Sequence, residues 1–160
     1  MSFADQRVPE MYSEIGRYCD VPGGLLYALA RAESGKSTHQ SFEPWPWTLN
    51  IEGQGHYYEN RDTMFDALMQ AITQGRQVDI GLTQLNWHWK YDRLISPWQA
   101  TDPVFNLKTA CNIVREHYDN APEKGWFHAT GKYHRESDSP ASLAIRHRYS
   151  ERVRQLWGQK

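Results

Sequence analysis

Only two cysteines, Cys19 and Cys111, occur in 160 residues. That is too few for a zinc site without histidine help at metal spacing. His56, His88, His117 and His128 show no His-x-x-x-His pairing, so no metal site is expected. Missing too is any apolar run approaching the roughly 20 residues needed to span a bilayer, which excludes an integral membrane segment. An excess of either sign of charge is absent as well. With 18 basic and 19 acidic residues, a net charge of -1 gives no field for nucleic acid or an anionic membrane surface. Met1 to Glu10 lacks the basic start and apolar core of an export signal. The chain is therefore either cytoplasmic or one whose signal peptide has been removed and a Met1 added. No repeat, linker or low-complexity tract interrupts it.

Aromatic residues are plentiful: seven Trp, nine Tyr and five Phe make up 13% of the chain. Rings offer apolar area at low entropic cost and suit a groove that grips flat-faced ligands such as sugars, although part of this set must fill the core. A chain of this length is expected to form one domain, 1–160, burying roughly two thirds of its unfolded surface. Cys19 and Cys111 both fall on the apolar sides of expected helices. A disulfide and two buried thiols acting as small hydrophobes satisfy that placement equally.

Apolar residues recur every three or four positions from Val8 to Cys19, predicting a first helix that begins at Pro9. Asp20 to Gly24 breaks it, and a second helix runs from Pro22 to Ser34 with Gly35 as a left-handed cap. Residues 36–46 read as loop. Trp45 to Ile51 and His56 to Tyr58 have strand composition around the turn residues Glu52-Gly53-Gln54-Gly55, predicting a hairpin. Thr63 caps a third helix ended by Gly75, and Asn106 caps a helix burying Leu107, Ala110, Cys111 and Val114. A short aromatic helix follows Gly125. A last helix begins at Pro140 and buries Ala141, Ala144, Ile145, Arg148, Tyr149, Val153, Leu156 and Trp157. The expected class is α+β, mostly α, with a small β-hairpin insertion.

Glu33 is the residue of greatest chemical interest. Leu26, Leu29, Ala30 and Glu33 share one face, so the carboxylate ends the buried stripe of a helix. Desolvation there is expected to favour the protonated form, which general-acid cleavage of a glycosidic bond requires. The plainer alternative is a glutamate that has snorkelled to the helix end. Val78 to Trp87 is the second informative stretch. Gly81 hints at a close backbone approach, Leu82 and Leu85 pack inward, and Gln84 and Asn86 offer amides to a ligand. An ordinary helix start, with Asp79 capping a helix near Gly81, is the alternative.

Three stretches in this order, Glu33-Ser34, then Gly81-Leu82-Thr83-Gln84-Leu85-Asn86, then Gly131-Lys132-Tyr133-His134, resemble the signature of the lysozyme-like soluble lytic transglycosylases, family 1. Pro44-Trp45-Pro46-Trp47-Thr48-Leu49-Asn50 further resembles the members encoded with conjugative-transfer and type IV secretion systems. The resemblance implies a lysozyme-like fold with the hairpin flanking a cleft, and Glu33 as the single acid/base catalyst. Ser34 would bond near the sugar or the departing group, Gln84 would line the cleft, and Tyr133 would place its hydroxyl close to the glutamate. Trp47, Tyr57, Tyr58 and Trp87 are candidates for the groove wall, with Asn86 and His134 as further substrate contacts. Thr83 replaces the family's usual Met, implying a smaller and more polar wall, and His134 replaces an Asn.

The implied substrate is the glycan strand of peptidoglycan, and the implied location is therefore the periplasm. The implied partners are components of an envelope-spanning secretion or conjugation system. Ordinary glycosidases need two carboxylates, and a transglycosylase needs one, so the implied scheme uses no metal and no organic cofactor. Asp79 keeps the hydrolytic alternative, a lysozyme, open if it faces Glu33 at roughly 6.5 to 9.5 Å. A weakly active peptidoglycan-binding assembly component is the alternative from another class.

Overall fold

The computed structural model describes residues 7–158, which are mostly helical with a small β-sheet. Among the described residues no helix is long and apolar enough to cross a membrane. The chain forms two compact units, one of the residues up to Ala32 and from Ala110 onward, the other Glu33–Thr109. Their boundaries fall within two helices, α2 (Gly23–Ser34) and α6 (Pro103–Asn120).

The first unit is helical. Pro9 precedes α1 (Glu10–Cys19), where its fixed φ suits the helix start, and Asp20 at φ 57° ends it. Leu25 through Ala30 are all buried, as a helix apolar on every side must be, and each buried leucine contributes about 1.5–3 kcal/mol. Arg31 is also buried. Its guanidinium lies 5.3 Å from the Tyr27 ring centroid and donates to the Leu156 carbonyl at 3.3 Å. Cys19 of α1 and Cys111 of α6 form a disulfide, with Cα atoms 6.3 Å apart, across 92 residues of chain.

A 3-10 turn at Pro122–Lys124 leads into α7 (Gly125–His134), and Ser139 caps α8 (Pro140–Trp157) by accepting from the Ser142 N–H. Trp126 stacks on Tyr118 at 3.9 Å. A Cβ on Gly131 would collide with the Arg146 side chain, so glycine permits the contact of α7 with α8. The buried stripe of α8 is Ser142, Arg146, Tyr149, Val153 and Leu156. Ala141, Ala144 and Arg148, expected in that stripe, are exposed, because the helix turns the long aliphatic stem of Arg146 inward instead.

In the second unit β3 (Thr48–Ile51) and β4 (Gln54–Tyr57) form the expected hairpin, with Glu52 (φ 51°) and Gly53 (φ 85°) both left-handed in its two-residue turn. The β structure extends beyond it. β5 (Val78–Ile80) pairs antiparallel with β3, and β6 (Leu85–Asn86) with β5, giving the order β4-β3-β5-β6. Gly35 is not a helix cap. It opens β1 (Gly35–Ser37), which pairs with β2 (Phe42–Pro44) inside the stretch that reads as loop. Asn60, rather than Thr63, caps α3 (Arg61–Thr73), its side chain accepting from the Thr63 N–H. Trp87–Leu94 forms α4, and Pro97–Ala100 a short α5. Asn106 lies inside α6; Asp102 is the residue whose carboxylate accepts at its start, from Phe105 N–H at 2.9 Å.

Candidate functional site

Glu33 sits half-buried in the last turn of α2, and three hydrogen bonds hold the backbone that follows it. The Ser34 hydroxyl donates to the Leu82 carbonyl at 2.7 Å, Trp45 N–H donates to the Ser34 carbonyl at 3.0 Å, and the Tyr57 hydroxyl donates to the Gly35 carbonyl at 2.9 Å. Each bond comes from a different segment, so the Cα of Glu33 is fixed by its successors as well as by its helix. Ser34 is 1% exposed, and its proton is committed to Leu82. The Ser34 hydroxyl thus joins the end of α2 to the Leu82 backbone.

Lys36 adds a clasp. Its ammonium lies 4.5 Å from the Trp45 ring centroid and 5.6 Å from that of Tyr57, within cation–π range of both. The indole N–H of Trp45 donates to the Tyr58 carbonyl at 2.7 Å. Neither Lys36 nor Trp45 stood out as a site residue in the sequence. The usable signal was an alternation of aromatics on either side of the β3–β4 turn, legible only once β1 and β2 are paired.

Gly81 through Asn86 form a tight connection between β5 and β6. Gly81 has φ 80°, and a Cβ there would stand 2.7 Å from Asn106 Nδ2, so the close backbone approach that the glycine suggested is to a protein side chain. Asn106 is fully buried and uses both ends of its amide. Its Oδ1 accepts from the Thr83 N–H (3.1 Å) and hydroxyl (2.6 Å), while Nδ2 donates to the carbonyls of Ile80 (2.9 Å) and Ala100 (3.1 Å). Thr83 therefore faces the core and not the groove, a correction to the smaller polar wall expected of it. A buried hydroxyl needs a partner, and Asn106 supplies one.

Gln84 adopts a left-handed backbone (φ 55°), and its Nε2 donates to the carbonyls of Gly81 (2.9 Å) and Thr48 (3.3 Å). The amide thus braces the turn. Its Oε1 is the end with no hydrogen bond among the described residues. Asn86 caps α4 through the Trp89 N–H, and its Nδ2 donates to Asp79 Oδ1 at 2.9 Å. Asp79 is consequently a strand residue of β5, not the cap of a helix near Gly81.

Of the aromatic candidates, Trp47, Tyr58 and Trp87 are half-buried, and Tyr57 is 49% exposed. Burial pushes the Tyr58 hydroxyl above the usual tyrosine range. Tyr133 and His134 belong to the other unit, at the end of α7. Tyr133 is half-buried there, and the exposed His134 ring stacks on Tyr149 with centroids 4.1 Å apart and planes 2° from parallel.

No family model, curated protein or solved structure matches this chain.

Proposed function

We propose that this chain is a peptidoglycan lytic transglycosylase with a lysozyme-like fold. In this reading it cleaves the β-1,4 bond between N-acetylmuramic acid and N-acetylglucosamine with Glu33 as its one acid/base group. The observation that carries the reading is the Ser34 to Leu82 hydrogen bond. It ties the Glu-Ser end of α2 directly to the Gly-Leu-Thr-Gln turn, two stretches 48 residues apart that the sequence resemblance treats as one signature.

Glu33 in its acid form protonates the glycosidic oxygen as the bond breaks, releasing the N-acetylglucosamine side as an alcohol. Positive charge develops at the muramic acid C1 and is stabilised by the substrate's own acetamido oxygen. The Glu33 carboxylate then takes the proton of the C6 hydroxyl as O6 closes on C1, leaving a 1,6-anhydro end and restoring the acid. No water enters and no second protein carboxylate is used. The fixed backbone after Glu33 supplies the positioning that such a step needs, because sub-ångström displacement of a general acid is costly in rate.

In this reading the protein works in the periplasm, on glycan strands, opening the wall locally for a conjugation or secretion apparatus. Retention of sacculus binding with loss of cleavage in Glu33→Gln is the expected result of a paired pull-down and turbidity assay. Cleavage at the parent rate by that variant would remove Glu33 from the mechanism.

A further inference from the structure

The helical unit made with α6, α7 and α8 contains a solvent-open pocket of about 880 Å³ that the proposed reaction does not use. His117 and Asn120 come from the end of α6, Lys124 from the 3-10 turn, His128 and Lys132 from α7, Glu136 and Asp138 from the connection to α8, and Arg146 from α8. The charged groups divide into two sets. Arg146 is nearly buried and wraps the connection, donating to the carbonyls of Arg135, Glu136 and Ser137 and to Asp138 Oδ1 at 3.0 Å. Lys132 donates to the same Asp138 oxygen at 3.3 Å and to the Glu136 carbonyl at 2.9 Å. Glu136 Oε1 lies 3.8 Å from His117 Nε2. The two acids of the pocket thus lie beside Arg146, Lys132 and His117.

Lys124 and His128 form the other set. Among the described residues neither side chain makes a hydrogen bond or an ion pair. Counting Lys124, Lys132 and Arg146 against Glu136 and Asp138, three positive charges face two negative ones before either histidine is protonated. Burial first, then the fields of Lys124, Arg146 and Lys132, hold the His128 imidazole below its usual range, with Asp138 opposing them weakly. A positive potential at an imidazole with no bonded partner is the condition under which an anion is recruited and brings a proton with it.

We propose that this pocket binds an oxyanion, a phosphate or carboxylate group of a small ligand, held by the Lys124 ammonium, the Asn120 side-chain amide and the His128 imidazole. Asn120 supplies neutral donors, Lys124 a point charge, and His128 a second charged donor once the anion is in place. Binding and protonation are then linked. The anion raises the His128 pKa, so affinity increases as pH falls through the histidine's range. His117, Glu136, Asp138, Lys132 and Arg146 face the same space.

The test is a titration of the full chain with inorganic phosphate and, separately, acetate, following the His128 Cε1–H resonance, with sodium chloride at matched ionic strength as the control. A saturable shift, an upward move of the His128 titration midpoint and about tenfold weaker binding in Lys124→Ala support the site. Lys90→Ala, in the other unit, should leave binding unchanged. Saturation by phosphate alone or acetate alone names the ligand's group, and saturation by both assigns the shared chemistry. A linear response, a response equalled by chloride, or one indifferent to Lys124→Ala overturns the proposal. None of these readouts depends on glycan cleavage.

Discussion

Asn106 Oδ1 accepts two hydrogen bonds from one residue, the N–H and the hydroxyl of Thr83. The same amide's nitrogen satisfies Ile80 and Ala100. One buried side chain thereby holds both ends of the turn that receives the Ser34 hydroxyl. Replacing Asn106 with alanine leaves the Thr83 N–H and the Ile80 carbonyl without their partner in a closed core. The expected loss is about 2–4 kcal/mol of folding stability, read by urea denaturation at constant m-value. A loss below about 0.5 kcal/mol would mean that the network carries little.

Gly81→Ala tests the same turn from the other side. A Cβ meets the Asn106 amide at 2.7 Å, and the φ of 80° is unfavourable for any L side chain. Destabilisation by more than about 1 kcal/mol is expected, with Gly81→Ala and Asn106→Ala non-additive in a double-mutant cycle. Additive effects would separate the two residues energetically.

Local signals made much of the fold readable. Pro9 and Pro140 mark helix starts, Glu52-Gly53 marks a tight hairpin, and Leu25 to Ala30 reads as a buried helix because each feature is decided within a few residues. Asn106, and Asp79 in the alternative that makes it a cap, lie elsewhere for the opposite reason. Asn and Asp have strong local capping tendencies, and only contacts 23 residues away in one case, and a three-residue strand in the other, override them. The candidate site follows the same division. Glu33 and the Gly81 turn were visible, whereas the commitment of Ser34 to Leu82, the inward face of Thr83 and the Lys36 clasp depend on pairings that no local pattern announces.

Reduction of the Cys19–Cys111 disulfide removes a cross-link spanning 92 residues. Chain-entropy reasoning puts the loss at about 4–5 kcal/mol, lowering Tm and the denaturation midpoint in the presence of reductant. A Tm unmoved by reductant, with both thiols shown to be released by mass labelling, would contradict this.

Acid stability should fall in two windows. His128 has a folded-state pKa below 6.5, so between that value and 6.5 the unfolded chain binds more protons, and stability declines as pH falls through the window. Asp138 is held below 3.8, first by its hydrogen bond to Arg146 and then by Lys132; its contribution is intact above 3.8 and is lost as pH falls through the folded value. His128→Gln should flatten the upper window and Asp138→Asn the lower one in denaturation midpoints measured across pH. Unchanged slopes in both variants would place the linkage elsewhere.

Mass spectrometry of sacculus digests tests the one-carboxylate mechanism most directly. The native protein should release muropeptides ending in 1,6-anhydromuramic acid, and Glu33→Gln should release none while Asp79→Asn still does. Reducing ends, heavier by one water and dependent on Asp79, would contradict the account and make the protein a hydrolase; no products from the native chain would leave a glycan-binding component.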